Sequence, residues 1–120
     1  MISGPDRSES LILRLLSATT ERSRVIANNL ANQNTPGFTR QTVQFEQLVE
    51  AQLRRRGGDP LSVLPKVVDD TSSPRRHDGN NVNPELEVNA GSENRILFET
   101  YAVILQGHFQ LLDTAITNGR

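Results

Sequence analysis

The chain has 120 residues, 35% of them apolar and 4% aromatic, with no tryptophan, no cysteine and a formal charge of −1. That length suits one domain at most, and the lack of cysteine excludes disulfide frameworks, thiolate metal sites and cysteine nucleophiles. The near-neutral balance gives no support for a nucleic-acid or membrane-surface partner, and no run approaches the roughly 18 apolar residues of a membrane-spanning helix.

The first ten residues, MISGPDRSES, lack a basic segment followed by an apolar one, so no cleaved secretory signal is expected. From Asp6 to Asn32 the residues Leu11, Ile12, Leu15, Leu16, Val25, Ile26 and Leu30 recur at three- and four-residue spacing. That period predicts a helix over 6–32, roughly 40 Å long. Asp6 and Glu9 have the spacing of a capping box, with Pro5 just ahead. The stripe thins at Thr19, Thr20, Arg22 and Ser23, where a strict heptad wants apolar side chains.

The helix should end in ANNLANQNTPGF, residues 27–38, in which five of twelve side chains are amides. Asparagine bonds the orphan groups of a helix end and tolerates left-handed backbone. Proline holds Thr35 extended, Pro36-Gly37 suits the centre of a type II turn, and Phe38 can then fold back as an anchor. Between residues 33 and 83 the chain reads as junction and loop with short strands. Val43 and Phe45 alternate with Thr42, Gln44 and Glu46, which predicts an extended stretch. Residues 46–56 suit a short helix running into Gly57-Gly58, residues 61–68 (LSVLPKVV) a pair of short strands, and residues 69–81 turn and loop.

A second long helix is predicted over 84–117. Asn83 is a good N-cap and Pro84 fits the first helical position. Leu86, Val88, Ile96, Leu97, Tyr101, Ile104, Leu105, Phe109, Leu111, Leu112 and Ile116 carry the helical period. Ala90-Gly91-Ser92 predicts a kink or break, and Gly119 a stop. Two long amphipathic helices pairing with each other cover one seam. The remaining stripes need other chains, which points to an assembly subunit.

Catalytic and metal chemistry find no footing. His77 lies in a loop beside Asp78, and His108 has no carboxylate three or four residues away, so neither has ligand spacing for a metal. No serine sits in a nucleophile elbow, Gly57-Gly58 lacks the Lys-Ser/Thr of a phosphate loop, and Asp69 and Asp70 would point to opposite faces of a strand. The Arg54-Arg55-Arg56 run reads as a solvated helix end. No enzyme, cofactor or metal is expected.

The stretch Ala27, Asn29, Leu30, Ala31, Asn32, Asn34, Thr35, Pro36, Gly37 and Phe38 resembles the N-terminal signature of bacterial flagellar rod, hook and hook-associated proteins. A second block, Asp78, Gly79, Asn80, Asn81, Val82 and Glu87, resembles the proximal rod members of that family. The closing helix with Tyr101, Leu105 and Phe109 fits it in pattern, while residues 54–73 match nothing recognisable.

The resemblance implies a mainly α fold. Long N- and C-terminal helices pair as a coiled coil, with an irregular middle containing short strands, in a single unit over 1–120. It implies a structural subunit of the basal-body proximal rod, helically stacked, transmitting torque and lining the export channel. Partners would be other copies, FlgC-like rod proteins, a FliE-like adaptor at the MS ring and the flagellar type III export apparatus. The implied place is the periplasmic rod, reached without a cleaved signal. Expected assembly residues are Leu15, Ile26 and Leu30 packing against Tyr101, Leu105 and Leu112, with Phe38 as anchor. The expected junction turn is Asn29, Asn32, Thr35, Pro36 and Gly37. The alternatives are another rod or hook subunit of FlgC type, which usually lacks the DGNNV run, and a generic helical adaptor that binds one partner helix without polymerising.

Overall fold

The computed structural model describes the backbone of residues 5–119 and the side chains of residues 7–119. Its elements are α1 (Pro5–Ala31), β1 (Gln41–Gln44), α2 (Glu46–Arg54), a 3-10 turn (Pro60–Ser62), β2 (Lys66–Asp69) and α3 (Pro84–Asn118). The proposed capping role of Asp6 falls outside the described side chains.

Two long helices set the shape. α1 and α3, roughly 40 and 52 Å by their residue counts, pack antiparallel in a molecule 67 × 30 × 15 Å. Their register is read from side chains that cross between them. Asn29 reaches Glu87, and Arg22, Thr19 and Ser23 all bond Asn94. Gly91 lies against Ile26, whose Cγ2 sits 3.9 Å from where a Cβ at Gly91 would be. The polar thinning of the α1 stripe is therefore matched by one polar residue on α3, Asn94. Asn94 is buried and its amide donates to the Thr19 carbonyl (2.8 Å) and the Ser23 hydroxyl (2.9 Å).

Several expectations change. α3 is continuous through Ala90-Gly91-Ser92, because Gly91 sits in the interhelical contact where a small residue serves packing. The register also separates some of the expected partners. Ile26 lies level with Gly91, ten positions or roughly 15 Å along α3 from Tyr101. Ile26 and Leu30 are thus too far along the rod to meet Tyr101, Leu105 or Leu112. Leu15, eleven positions before Ile26, is level with Tyr101, and it also packs beside a separate core of Ala18, Phe45, Val49 and Val63, together with Leu11 and Leu48. That core places α2 and the 3-10 turn on the first half of α1.

Residues 61–68 do not pair with themselves. Only Lys66–Asp69 is a strand, and its antiparallel partner is β1, with Gln41 opposite Asp69 and Gln44 opposite Lys66. Pro65 separates it from the 3-10 turn, which is capped by the Asp59 carboxylate accepting from Leu61 N–H (3.0 Å). Asn83 caps α3 through its side chain, which accepts from the N–H groups of Glu85 (3.0 Å) and Leu86 (3.4 Å), with Pro84 following. α3 stops before Gly119, whose φ of −81° is an ordinary one, so the left-handed ending expected of a glycine stop is not used.

Candidate functional site

The amide-rich stretch ends α1 in a turn. Gly37 takes φ +74°, and the Phe38 N–H donates to the Thr35 carbonyl (3.2 Å) across Pro36-Gly37, which is the type II geometry that requires positive φ at the third position. Among the described residues no asparagine adopts positive φ; only Gly37, Gly57 and Gly79 do. Gly37 and Gly79 also touch each other. A Cβ on Gly79 would lie 3.4 Å from the Gly37 Cα. Two tight turns therefore meet through their glycines, and Gly37 N–H donates to the Asp78 carbonyl (2.9 Å).

The asparagines do something other than relax the backbone. They stand in for it. The fully buried Asn29 donates to the Gln41 carbonyl (2.8 Å) and accepts from Gln41 N–H (3.0 Å), as a neighbouring strand would. Asn81, also buried, enters the end of the β1–β2 ladder. There Asp70 N–H donates directly to the Arg40 carbonyl (2.7 Å), while Asn81 accepts from Arg40 N–H and donates to the Asp70 carbonyl (2.7 Å). Asn80 donates to the carbonyls of Asn32 and Thr35, both at 2.8 Å, and accepts from Val82 N–H (2.7 Å). Asn32 donates to the Asn28 carbonyl (2.9 Å) and accepts from the Thr35 hydroxyl (3.1 Å). A buried carboxamide supplies a donor and an acceptor together, which is what an unpaired peptide group needs.

Charge closes the same junction. Glu87, with no exposed surface, accepts from Arg40 and from Asn29 (3.3 Å). Arg40 also bonds Asp70 (2.9 Å). Burial opposes the Arg40 charge, but the Glu87 and Asp70 carboxylates outweigh it and hold the guanidinium above its ordinary range. Asp70 lies well below the usual carboxylate range. The Ser73 and Ser72 hydroxyls are the first cause, joined by the Ser72 N–H and Arg40. Arg76 donates to the carbonyls of Gln33 and Val82 and so ties the end of α1 to the approach of α3. A cleft of about 270 Å³ opens beside the junction, but its two arginines, Arg40 and Arg76, are already engaged by these partners.

The junction gathers Asn29, Asn32, Thr35, Pro36 and Gly37, with Phe38 half-buried beside it. It also holds residues given no individual role from sequence: Arg40, Asp70, Arg76, Asn80, Asn81 and Glu87. Asn80, Asn81 and Glu87 were visible as a block of resemblance, but nothing local shows that they reach back to α1 and β1. The apolar residues Tyr101, Leu105 and Leu112 lie elsewhere, half-buried along α3. Tyr101 is within electrostatic reach of Glu46 and Arg22, and burial, then Glu46, holds its hydroxyl above the ordinary tyrosine range.

Beyond the junction, α3 is apolar and uncovered. Val103, Ile104, Phe109, Leu111 and Ile116 are 67%, 50%, 47%, 72% and 63% exposed. From Thr100 to Asn118 the one Asp, Glu, Lys or Arg is Asp113. Among the described residues no group of three or more His, Asp or Glu side chains is placed to hold a metal ion, and no helix is long and apolar enough to cross a membrane.

An amide-stitched junction and a long apolar helix left uncovered are thus the two distinctive surfaces of this fold. Residues 16–39, from the middle of α1 through the turn, match the family of flagella basal body rod proteins, a structural rather than an enzymatic family. The chain is FlgB-like over nearly all its length. It is 29% identical to the flagellar basal body rod protein FlgB of Borrelia hermsii, covering 92% of this chain and 96% of the relative. It is 26% identical to FlgB of Bacillus subtilis strain 168 (88% and 89% covered) and 24% identical to FlgB of Borreliella burgdorferi (92% and 96%).

Proposed function

We propose that this FlgB-like chain is a structural subunit of the flagellar basal-body rod, acting as a single unit whose helices are completed by neighbouring subunits. The uncovered half of α3 carries this reading. A helix that is apolar on most of its circumference is a buried helix, and here five large apolar side chains stand about half or more exposed along a segment with Asp113 as its one acidic or basic residue. Exposed apolar surface on that scale marks an interaction site.

In this reading α1 and α3 pair as a coiled coil within the rod. Copies stack helically, transmit torque and line an export channel. Leu15, Ile26, Leu30, Phe38, Tyr101, Leu105 and Leu112 set the shape of the packed helices, and Asn29, Asn32, Thr35, Pro36 and Gly37 fix the turn between α1 and β1. The neighbours are further copies, a FlgC-like rod protein and a FliE-like adaptor. The route is the flagellar type III apparatus.

The test is sedimentation and far-UV circular dichroism of the purified chain against concentration, alone and with FlgC-like and FliE-like proteins. Helix content and mass that rise together support the reading. A fully helical monomer, indifferent to concentration and to both partners, overturns it in favour of a self-contained helical adaptor.

A further inference from the structure

A two-stranded sheet has two outer edges, and each exposes backbone groups that seek partners. In this molecule one is closed and the other is not. Arg40 and Asp70 form a hydrogen-bonded rung, so along β1 the groups of Gln41 and Val43 face outward. Asn29 takes both groups of Gln41, and Arg22 donates to the Val43 carbonyl (3.4 Å). By the same alternation, Val67 and Asp69 present their N–H and C=O groups on the outer edge of β2. No hydrogen bond among the described residues engages them. Both residues are exposed, as is Lys66, which has no carboxylate partner among the described residues.

We propose that this edge pairs with β2 of a second copy, antiparallel, about a two-fold axis through Val68. The sequence of the strand selects the register. Setting Val67 opposite Val67 of the second copy brings Pro65, which has no N–H, opposite Asp69 inside the paired strand. Setting Asp69 opposite Asp69 faces like charges. Setting Val67 opposite Asp69 avoids both. Val68 then meets its own counterpart in a non-hydrogen-bonded pair, and each Lys66 faces Asp70 of the second copy. Pro65 falls at the end of the ladder, where only its carbonyl is used. The Lys66 end of each strand thus meets the Asp69-Asp70 end of the other, once on each side of the axis, although Asp70 already accepts from Arg40, Ser72 and Ser73 within its own chain. The product is a four-stranded sheet, and because the contact is two-fold it closes at two copies. It is therefore distinct from helical stacking and stands or falls separately from the rod reading.

The chain has no cysteine, so a single introduced one reports cleanly. In a non-hydrogen-bonded antiparallel pair the Cα atoms are about 4.5 Å apart, within disulfide reach. Mild oxidation of the full chain carrying Val68→Cys should give a covalent dimer, while Lys66→Cys, which faces position 70, should give little. The yield should persist when Leu111→Gln and Ile116→Gln remove helix-mediated association. Lys66→Glu, an exposed change, should weaken non-covalent dimerisation about tenfold in sedimentation equilibrium, because two attractive pairs become repulsive. Failure of Val68→Cys to cross-link with its helix content intact overturns the pairing. So do equal yields from the two cysteine variants, or a dimer indifferent to Lys66→Glu. Should Val68→Cys fold poorly, the Lys66→Glu measurement decides alone.

Discussion

The junction and the distal half of α3 solve opposite problems. At the junction the chain buries polar groups and pairs them. Asn29, Asn80, Asn81 and Glu87 are all buried, and each bonds groups far from it in sequence. In distal α3 the chain exposes apolar groups and leaves them uncovered. There, too, lies the one buried side-chain nitrogen or oxygen without a partner among the described residues, Nε2 of His108. Polar atoms can be satisfied within one chain when two turns and a sheet end converge. A wide apolar circumference on a single helix cannot, because α1 covers only one side of it. The junction is a finished structure and distal α3 an unfinished one.

The sharpest way to break the comparison is to open the finished part. Glu87→Ala should cost about 3 kcal/mol, since removing one partner of a buried ion pair leaves the other charge uncompensated; Arg40 retains Asp70, which keeps the loss at the lower end of that range. Chemical denaturation of the full chain measures it. Asn29→Ala should cost about 2 kcal/mol, because both peptide groups of Gln41 lose their partner in a buried setting. A loss of less than about 0.5 kcal/mol, the level of an ordinary surface change, would mean that water replaces the carboxamide and that the junction is not the dry, saturated unit described.

Acid should probe the same region more gently. The Asp70 pKa is depressed in the folded state by the Ser73 and Ser72 hydroxyls, the Ser72 N–H and Arg40. Stability from this group is present above the ordinary aspartate pKa of about 3.9 and is lost as pH falls below it toward the folded value. The full chain should hold constant stability through this term from neutral pH down to about 5, then weaken. Asp70→Asn should flatten that decline. An acid limb unchanged by Asp70→Asn would assign it to other carboxylates.

Much of this contrast could be read from sequence, and the part that could not has a common cause. Both long helices follow from apolar spacing, the start of α3 from Asn83-Pro84, and the turn from Pro36-Gly37, because each depends on neighbours within a few residues. Distal α3 was legible as a stripe in want of partners. What stayed hidden was every pairing at long range. Asparagines 29 and 32 look alike in sequence, yet Asn32 bonds its own helix while Asn29 closes a strand twelve residues on. The strand partner of Lys66–Asp69 lies more than twenty residues upstream, with a helix between. Gly91 reads as a break because propensity penalises it, and it is tolerated because Ile26 packs there.

The smallest expected effect on stability is the most informative about function. Leu111→Gln and Ile116→Gln change side chains that are 72% and 63% exposed, so the isolated chain should lose no more than about 0.5 kcal/mol. Neither change touches the junction. If distal α3 is a surface awaiting neighbours, the same pair of substitutions should abolish concentration-dependent gain of helix while leaving the denaturation midpoint of the monomer where it was. Equal loss in both measurements would mean that α3 is completed within its own chain. The contrast between a finished junction and an unfinished helix would then dissolve into a single cooperative fold.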